Sequence, residues 1–480
     1  MRSGVAEFED EITKQNCSNT SSLRRQSLMG ETPKTTLPRL YVSGFKLNSY
    51  CHSATPNLMS LIILTTIGSF GDLHPKIAIA LELRKRGHDI VFATHKEYQS
   101  KIEALGFEFH RMRPDNTALN DPQEMAQMMD LQTGSEYIVR KWVCPSLRQM
   151  YADLMNAAKN ADFMLAGEGV TVARMVAEKL GIRWASSAMA PISFFSAYDP
   201  SVLPVFPFLA KLRRFGLFAN RGVINFAKLV TKSWAEPVHE FRRELGLPTL
   251  TGNPFIDDKF SPYLVLALFS PVLGKPQPDW VANTVMAGFT FYDGSSDKTE
   301  LMPQLKKFLN AGEPPIVFTL GSAAVMSPGN FYRESIKAAK HLNRRAVLLM
   351  GKNPPPENLS KDILAVSYVP YSQIFPHACA IVHQGGIGTT AQALRAGHPS
   401  LVMPYSHDQP DNAARVQRLG TSRTIKRKQY SASRVVKELH QLLDNPSYAA
   451  SSAEIGRIVQ AENGVGVACD AIEKHLNEFG

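Results

Sequence analysis

The 480-residue chain has no run of about 18 or more apolar residues, so a membrane-spanning helix is not expected. Its five cysteines (Cys17, Cys51, Cys144, Cys379 and Cys469) include no Cys-x-x-Cys pair. That spacing argues against a zinc site or a disulfide scaffold and fits a reducing, cytoplasmic setting. Asp-x-Asp occurs nowhere, so a metal-clamped diphosphate has no support and no metal is expected. No basic block interleaved with aromatics stands out. Of the anionic partners admitted by a net charge of +10, nucleic acid therefore ranks below a phosphorylated small molecule or a membrane surface.

What is present divides unevenly. Residues 1–58 are polar, rich in Ser and Thr, and almost without periodicity, the composition of a disordered extension. They lack the apolar core of a secretory signal, and Glu7-Phe8-Glu9-Asp10-Glu11 is too acidic for a transit peptide. From Met59 the pattern changes. "SLIILTTIG", "HDIVFATH", "FEFHRM", "ADFMLAGEG" and "IRWASSAMA" alternate with helical segments, and Gly87, Gly106 and Gly181 stand at the expected C-caps. Runs that are apolar throughout point to parallel strands covered on both faces.

A second series of the same kind starts at Pro314: "PPIVFTLGS", "RRAVLLMG", "ILAVSYVP", "ACAIVHQGG", "PSLVMPYS" and "TSRTIK". The expected fold is α/β, two Rossmann-like doubly wound domains facing across a cleft. The expected boundaries are 59–270 and 301–445, with a Pro/Gly/Ser/Asp-rich linker at 271–300 and C-terminal helices at 446–480.

"HQGGIGTT" (residues 383–390) joins a buried strand to a helix through three glycines. Backbone N–H groups left bare at Gly385, Gly386 and Gly388 suit a phosphate at a helix N-terminus. Thr389, Thr390 and His383 can add donors. A tight turn, a capped helix and a satisfied histidine would give the same letters, and Gly-x-Gly-x-x-Gly is absent. Asp408, Gln409 and Asn412 follow the next strand, where they suit sugar hydroxyls or, equally, an N-cap and a solvated first turn. Val369 and the Gly321-Ser322 pair end two further strands, where exposed backbone can approach a base or a phosphate.

Taken in order, "VPYSQIFPHACAIVHQGGIGTTAQALRAGHPSLVMPYSHDQPDNAARV" resembles the donor-binding segment of GT-B, family 1 (UGT-like) glycosyltransferases of the bacterial and sterol-type branch, which includes lipid-acting rhamnosyltransferases and sterol glucosyltransferases. The resemblance implies base binding around Val369. It implies diphosphate binding by His383, Gly386, Gly388 and Thr389, and sugar binding by Asp408 and Gln409. The implied co-substrate is a nucleotide-sugar, UDP-glucose first and a dTDP-6-deoxyhexose such as dTDP-rhamnose second, without a metal.

"TTIGSFGDLHPKIAIALELRKRGHDIVFAT" resembles the N-terminal GxxGDxxP element of the same family, with Gly71 beside the donor. Asp72 then aligns with the general base and His74 is the second candidate, which implies inverting transfer of a hexosyl group. Read without the family, Asp72 is the N-cap of a helix starting at Leu73, with Pro75 in its first turn. Phe194, Phe195, Phe206 and Phe208 fit either a core or a pocket for a hydrophobic acceptor. The basic stretch Lys211–Lys232 fits either a solvated helix face or peripheral contact with an anionic membrane. A nucleotide-sugar epimerase of the same fold is the alternative enzyme.

Overall fold

Seven parallel strands form the first sheet: β1 (Leu61–Thr65), β2 (Asp89–Thr94), β3 (Glu108–Arg111), β4 (Phe163–Gly167), β5 (Arg183–Ala188), β6 (Leu264–Ala267) and β7 (Thr284–Met286), in the order β3-β2-β1-β4-β5-β6-β7. Six more form the second: β8 (Ile316–Thr319), β9 (Ala346–Leu349), β10 (Ile363–Val366), β11 (Ala380–His383), β12 (Ser400–Val402) and β13 (Ser422–Thr424), in the order β10-β9-β8-β11-β12-β13. The computed structural model describes residues 59–119, 121–294 and 301–478. The extension expected at 1–58 lies outside them.

Every strand pairing is parallel, and β1, β4, β8 and β11 are buried along nearly their whole length. Helices cover both faces, which is why these strands read as unbroken apolar runs. In each sheet the strand order reverses once, between β1 and β4 and between β8 and β11. Beyond the carboxyl ends of those pairs the crevice of a doubly wound sheet opens, and the chain leaving β1 leads into Asp72, the chain leaving β11 into the rest of "HQGGIGTT".

Two features go beyond the sequence expectation. The stretch read as linker contributes β7, whose Thr284 and Val285 pair with Val265 and Leu266 of β6. The helix Gly464–Asn477 returns to the first sheet, where Cys469 and Ile472 join the core of Ile77 and Ile79, and Arg86 pairs with Asp470 and Glu473. Among the described residues no helix is long and apolar enough to cross a membrane.

Candidate active site

Gly68, after β1, has φ +123°, and a Cβ there would overlap the Asp72 carboxylate. Only glycine lets the chain pass that side chain so closely. Ser69 then caps the helix Phe70–Lys85: Gly71 N donates to Ser69 Oγ at 3.1 Å, and Ser69 N donates to Asp72 Oδ2 at 2.9 Å. This reciprocal capping box corrects the expectation that Asp72 is itself the N-cap. The helix starts earlier, with Asp72 at its third position and Pro75 inside it. Both contacts from Ser69 fall on Oδ2, which leaves Oδ1 for other chemistry. Gly68 N donates to His95 Nε2, while Tyr98 Oη and Asn116 Nδ2 donate to Gly68 O. These three clamps carry no motif in the sequence.

Burial pushes the Asp72 carboxyl above the usual carboxylate range. The Ser69 N–H and the Lys76 ammonium oppose that rise, and Glu168 adds to it. Lys76, one turn along the helix, is fully buried, donates to Ser187 Oγ at 2.9 Å, and is brought down to about 8 by burial. His74 sits among aromatic rings. Its ring packs on Phe70 and Tyr292 with centroids 5.1 Å away in each case, its Nε2 is buried without a partner, and burial lowers its pKa to about 4. It is therefore neutral at physiological pH.

In the second domain His383 ends β11 and is buried. Gly385 N donates to its Nδ1 at 3.1 Å, and burial lowers its pKa to about 3. The neutral ring accepts at Nδ1, so its proton is on Nε2, a donor for an anionic oxygen. Gln384 was missed in the sequence. Its Nε2 lies 3.3 Å from Thr389 Oγ1, and a Cβ on Gly321 (φ +69°) would overlap that same nitrogen. The glycine after β8 is thus required by the amide of the loop after β11. Tyr371, also missed, pairs its hydroxyl with Thr319 Oγ1 at 2.9 Å and stacks on Phe375.

The helix Ile387–Ala396 begins at this loop. Asp408 Oδ2 accepts from Ile387 N at 3.2 Å and from Asn412 Nδ2 at 2.6 Å, and Asn412 Nδ2 also donates to Gly385 O. Burial, together with the charge of Asp72 across the cleft, raises Asp408 to about 7. Gln409 Oε1 accepts from Tyr405 N. Gln384 Oε1, Thr390 Oγ1 and Asn412 Oδ1 are buried without a partner. Gln384 and Thr390 flank the glycines of this loop and Asn412 holds Gly385 O, so the unsatisfied atoms cluster around the start of the helix. Ser322 lies half-buried beside Gly321, and Val369 turns its side chain into the core with Ile374 and Phe375, so its contribution is confined to backbone.

The two loops meet. A Cβ on exposed Gly388 would stand 3.9 Å from Gly71 Cα, so the first turns of the helices Phe70–Lys85 and Ile387–Ala396 face one another, with Asp72 on one side and Asp408 on the other. Both N-termini favour an anion there.

Family models match both halves. Residues 62–192 match the glycosyltransferase family 28 N-terminal domain, and residues 337–464 match the erythromycin biosynthesis protein CIII-like C-terminal domain. O-mycaminosyltylonolide 6-deoxyallosyltransferase of Streptomyces fradiae is 30% identical over 428 residues, which cover 86% of this chain and 97% of that protein. The chain belongs to the GT-B glycosyltransferases. A sterol 3-beta-glucosyltransferase of Yarrowia lipolytica is 26% identical over 466 residues, but this glycosyltransferase spans only 30% of that protein's length. Among solved structures, the glycotransferase of kitacinnamycin shares the fold at a TM-score of 0.63 and 20% identity, covering 87% of this chain and 99% of that one. Spinosyn rhamnosyltransferase SpnG complexed with thymidine diphosphate does so at 0.59 and 18%, covering 85% and 99%.

The four phenylalanines considered for the acceptor separate. Phe194 stacks on Trp280 with centroids 3.9 Å apart and belongs to the core. Phe195 lines a small pocket with Leu203, Leu209, Val223 and Ile224. Phe206 packs against Phe226, and Phe208 is exposed.

Lys76 gives the glycosyltransferase a pH signature. The groups acting on the Asp72 charge are Lys76, Ser69, Glu168 and, from the other domain, Asp408. Lys76→Met removes the cation that opposes the rise, so the Asp72 pKa climbs further and its carboxyl is protonated at pH values where it is otherwise ionised. The acidic limb of the kcat/KM profile is expected to move to higher pH, with little change above pH about 8, where the lysine itself loses its proton. An unmoved acidic limb would separate Lys76 from the chemistry.

Proposed function

We propose that the protein transfers a hexosyl group, with inversion, from a nucleoside diphosphate sugar to a hydroxyl of a hydrophobic acceptor. The observation that carries this reading is the approach of the Asp72 loop to the "HQGGIGTT" loop, with Gly71 against Gly388. That contact puts a buried carboxylate and an anion-binding helix terminus on opposite sides of one crevice. Asp72 takes the proton of the acceptor hydroxyl as its oxygen attacks the anomeric carbon. The bond from that carbon to the diphosphate breaks on the opposite face, and its electron pair goes to the phosphate oxygen. Backbone N–H groups at Gly386–Gly388 and the Nε2–H of His383 receive the charge. A diphosphate oxygen that accepts from Ile387 N takes the bond now made by Asp408, whose carboxyl is then available to sugar hydroxyls along with the Gln409 amide.

No step in this scheme is routed through a metal. The donor is UDP-glucose or a dTDP-6-deoxyhexose. The sterol glucosyltransferases favour the first, while the deoxyallosyltransferase and the thymidine diphosphate complex of a fold relative favour the second. A hydrophobic acceptor is supported by the sterol glucosyltransferases among the relatives. An epimerase, which takes no acceptor, would leave Asp72 without a purpose.

Calorimetry with UDP, dTDP, UDP-glucose and dTDP-rhamnose tests the reading. Preference for one nucleotide is expected, and His383→Ala should weaken binding of the diphosphate roughly tenfold or more through loss of a hydrogen bond to a charged oxygen. Wild-type affinity in that variant would return His383 to the role of turning the loop at Gly385.

A further inference from the structure

From Pro200 to Ala235 the sequence holds six Lys or Arg residues and no Asp or Glu. The segment folds as a 3₁₀ stretch, Pro207–Phe215, followed directly by the long helix Gly216–Glu244. Of the fourteen exposed large hydrophobic side chains among the described residues, six lie on it: Phe208, Phe215, Phe218, Phe226, Leu229 and Val230. Phe218 is 91% exposed, Leu229 68% and Phe215 62%. Concentration on one short segment separates this patch from the scattered exposed apolar residues of any surface.

The charges share the same face. Phe218, Arg221, Asn225, Leu229 and Lys232 are spaced three or four residues apart, so they form one stripe along the helix. Lys211, Arg213 and Arg214 are exposed on the preceding turns, and the Arg214 guanidinium lies 4.7 Å from the Phe215 ring centroid. Lys228 alone is tied down, to Asp257 at 2.6 Å.

We propose that this face docks the protein on an anionic lipid surface. Basic side chains alternating with aromatic and aliphatic ones match a headgroup layer, where Phe and Leu enter the acyl boundary and Lys and Arg meet phosphates. Protein interfaces are depleted of charge at their core, whereas here the charges stand between the apolar side chains. A second copy docking through the same face would set basic groups against basic groups. On the inner side of the same helix, Val223 and Ile224 line the Phe195 pocket, so docking brings that pocket close to the lipid. The docking inference stands independently of the donor and of the catalytic residues.

The test is sedimentation of the full chain with vesicles of phosphatidylcholine, with and without phosphatidylglycerol. Binding is expected only with phosphatidylglycerol, and it should weaken as salt rises. Phe218→Ser with Leu229→Ser, and separately Arg213→Glu with Arg214→Glu and Arg221→Glu, should each reduce vesicle binding; the charge reversal should do so by roughly a hundredfold or more. Nucleotide binding measured by calorimetry should be unchanged in both variants, which shows that they are folded. Failure of the wild type to sediment with phosphatidylglycerol at low salt overturns the proposal, as does charge reversal that leaves binding intact. A dimer that is lost in Phe218→Ser, without vesicle binding, would overturn it in favour of a protein interface.

Discussion

Asp72→Asn is expected to lower the rate of transfer by roughly 10²–10⁴-fold, the range by which a positioned general base contributes, while nucleotide binding stays nearly unchanged. The substitution is informative because asparagine separates the proposed role of Asp72 as base from the capping role its side chain plays at the helix start. The amide oxygen of Asn can still accept from Ser69 N, the contact Asp72 Oδ2 makes at 2.9 Å, so the capping box and the start of the helix survive. The packing against Gly68, where there is no room for a Cβ, also survives, since Asn has the shape of Asp. Only the proton acceptor is lost. Single-turnover rates together with nucleotide affinity and thermal stability read the two duties separately. Loss of transfer at constant stability identifies the base; retained transfer moves it to His74, whose buried Nε2 is unpartnered, or to another group. Asp72→Ala is the contrasting variant, expected to lose the cap as well as the base.

The same residue shows what could be read in the sequence. In Ser69-Phe70-Gly71-Asp72 the sequence reads with Asp72 as the cap, and the hydrogen bonds set the cap three residues earlier, at Ser69. The parallel sheets were legible because burial on both faces removes the alternation of polar residues from β1, β8 and β11. Thr284–Met286 was not: a three-residue edge strand leaves little periodicity in a stretch rich in Pro and Gly. Nothing in the sequence singled out Lys76, because the partners of its ammonium, Ser187 and Glu168, come from other strands and loops. The role of Gln384 was hidden for the same reason, since the glycine that makes room for it is Gly321, 63 positions earlier. Motifs display the groups that a ligand can touch, and contacts remote in sequence determine how those groups are held.

Arg415→Met is expected to destabilise the protein by about 3–5 kcal/mol, the cost of removing one partner from a buried ionic cluster. Arg415 sits on the helix Gln409–Arg418, which carries Gln409 and Asn412, and its side chain is almost wholly buried. Its Nε donates to Asp411 Oδ2 at 2.6 Å, Nη1 to Leu273 O at 2.8 Å and to Asp199, and Nη2 to Ser201 Oγ at 3.3 Å. Asp411 Oδ1 also accepts from Val202 N at 2.8 Å. One guanidinium therefore ties the helix Gln409–Arg418 of the second domain to the 199–202 loop of the first. Methionine fills much of the volume but leaves the buried Asp411 carboxylate without its cation, and that uncompensated charge accounts for most of the expected loss. Adding Asp411→Asn should restore part of it, because a neutral amide no longer needs the cation, and the two substitutions should be strongly non-additive. Urea unfolding of the two single variants and the double variant makes the measurement. A loss below about 1 kcal/mol for Arg415→Met would place the pair among ordinary surface ion pairs. A full loss accompanied by weaker donor binding in the surviving folded fraction would show that the contact between domains also sets the position of Gln409 and Asn412.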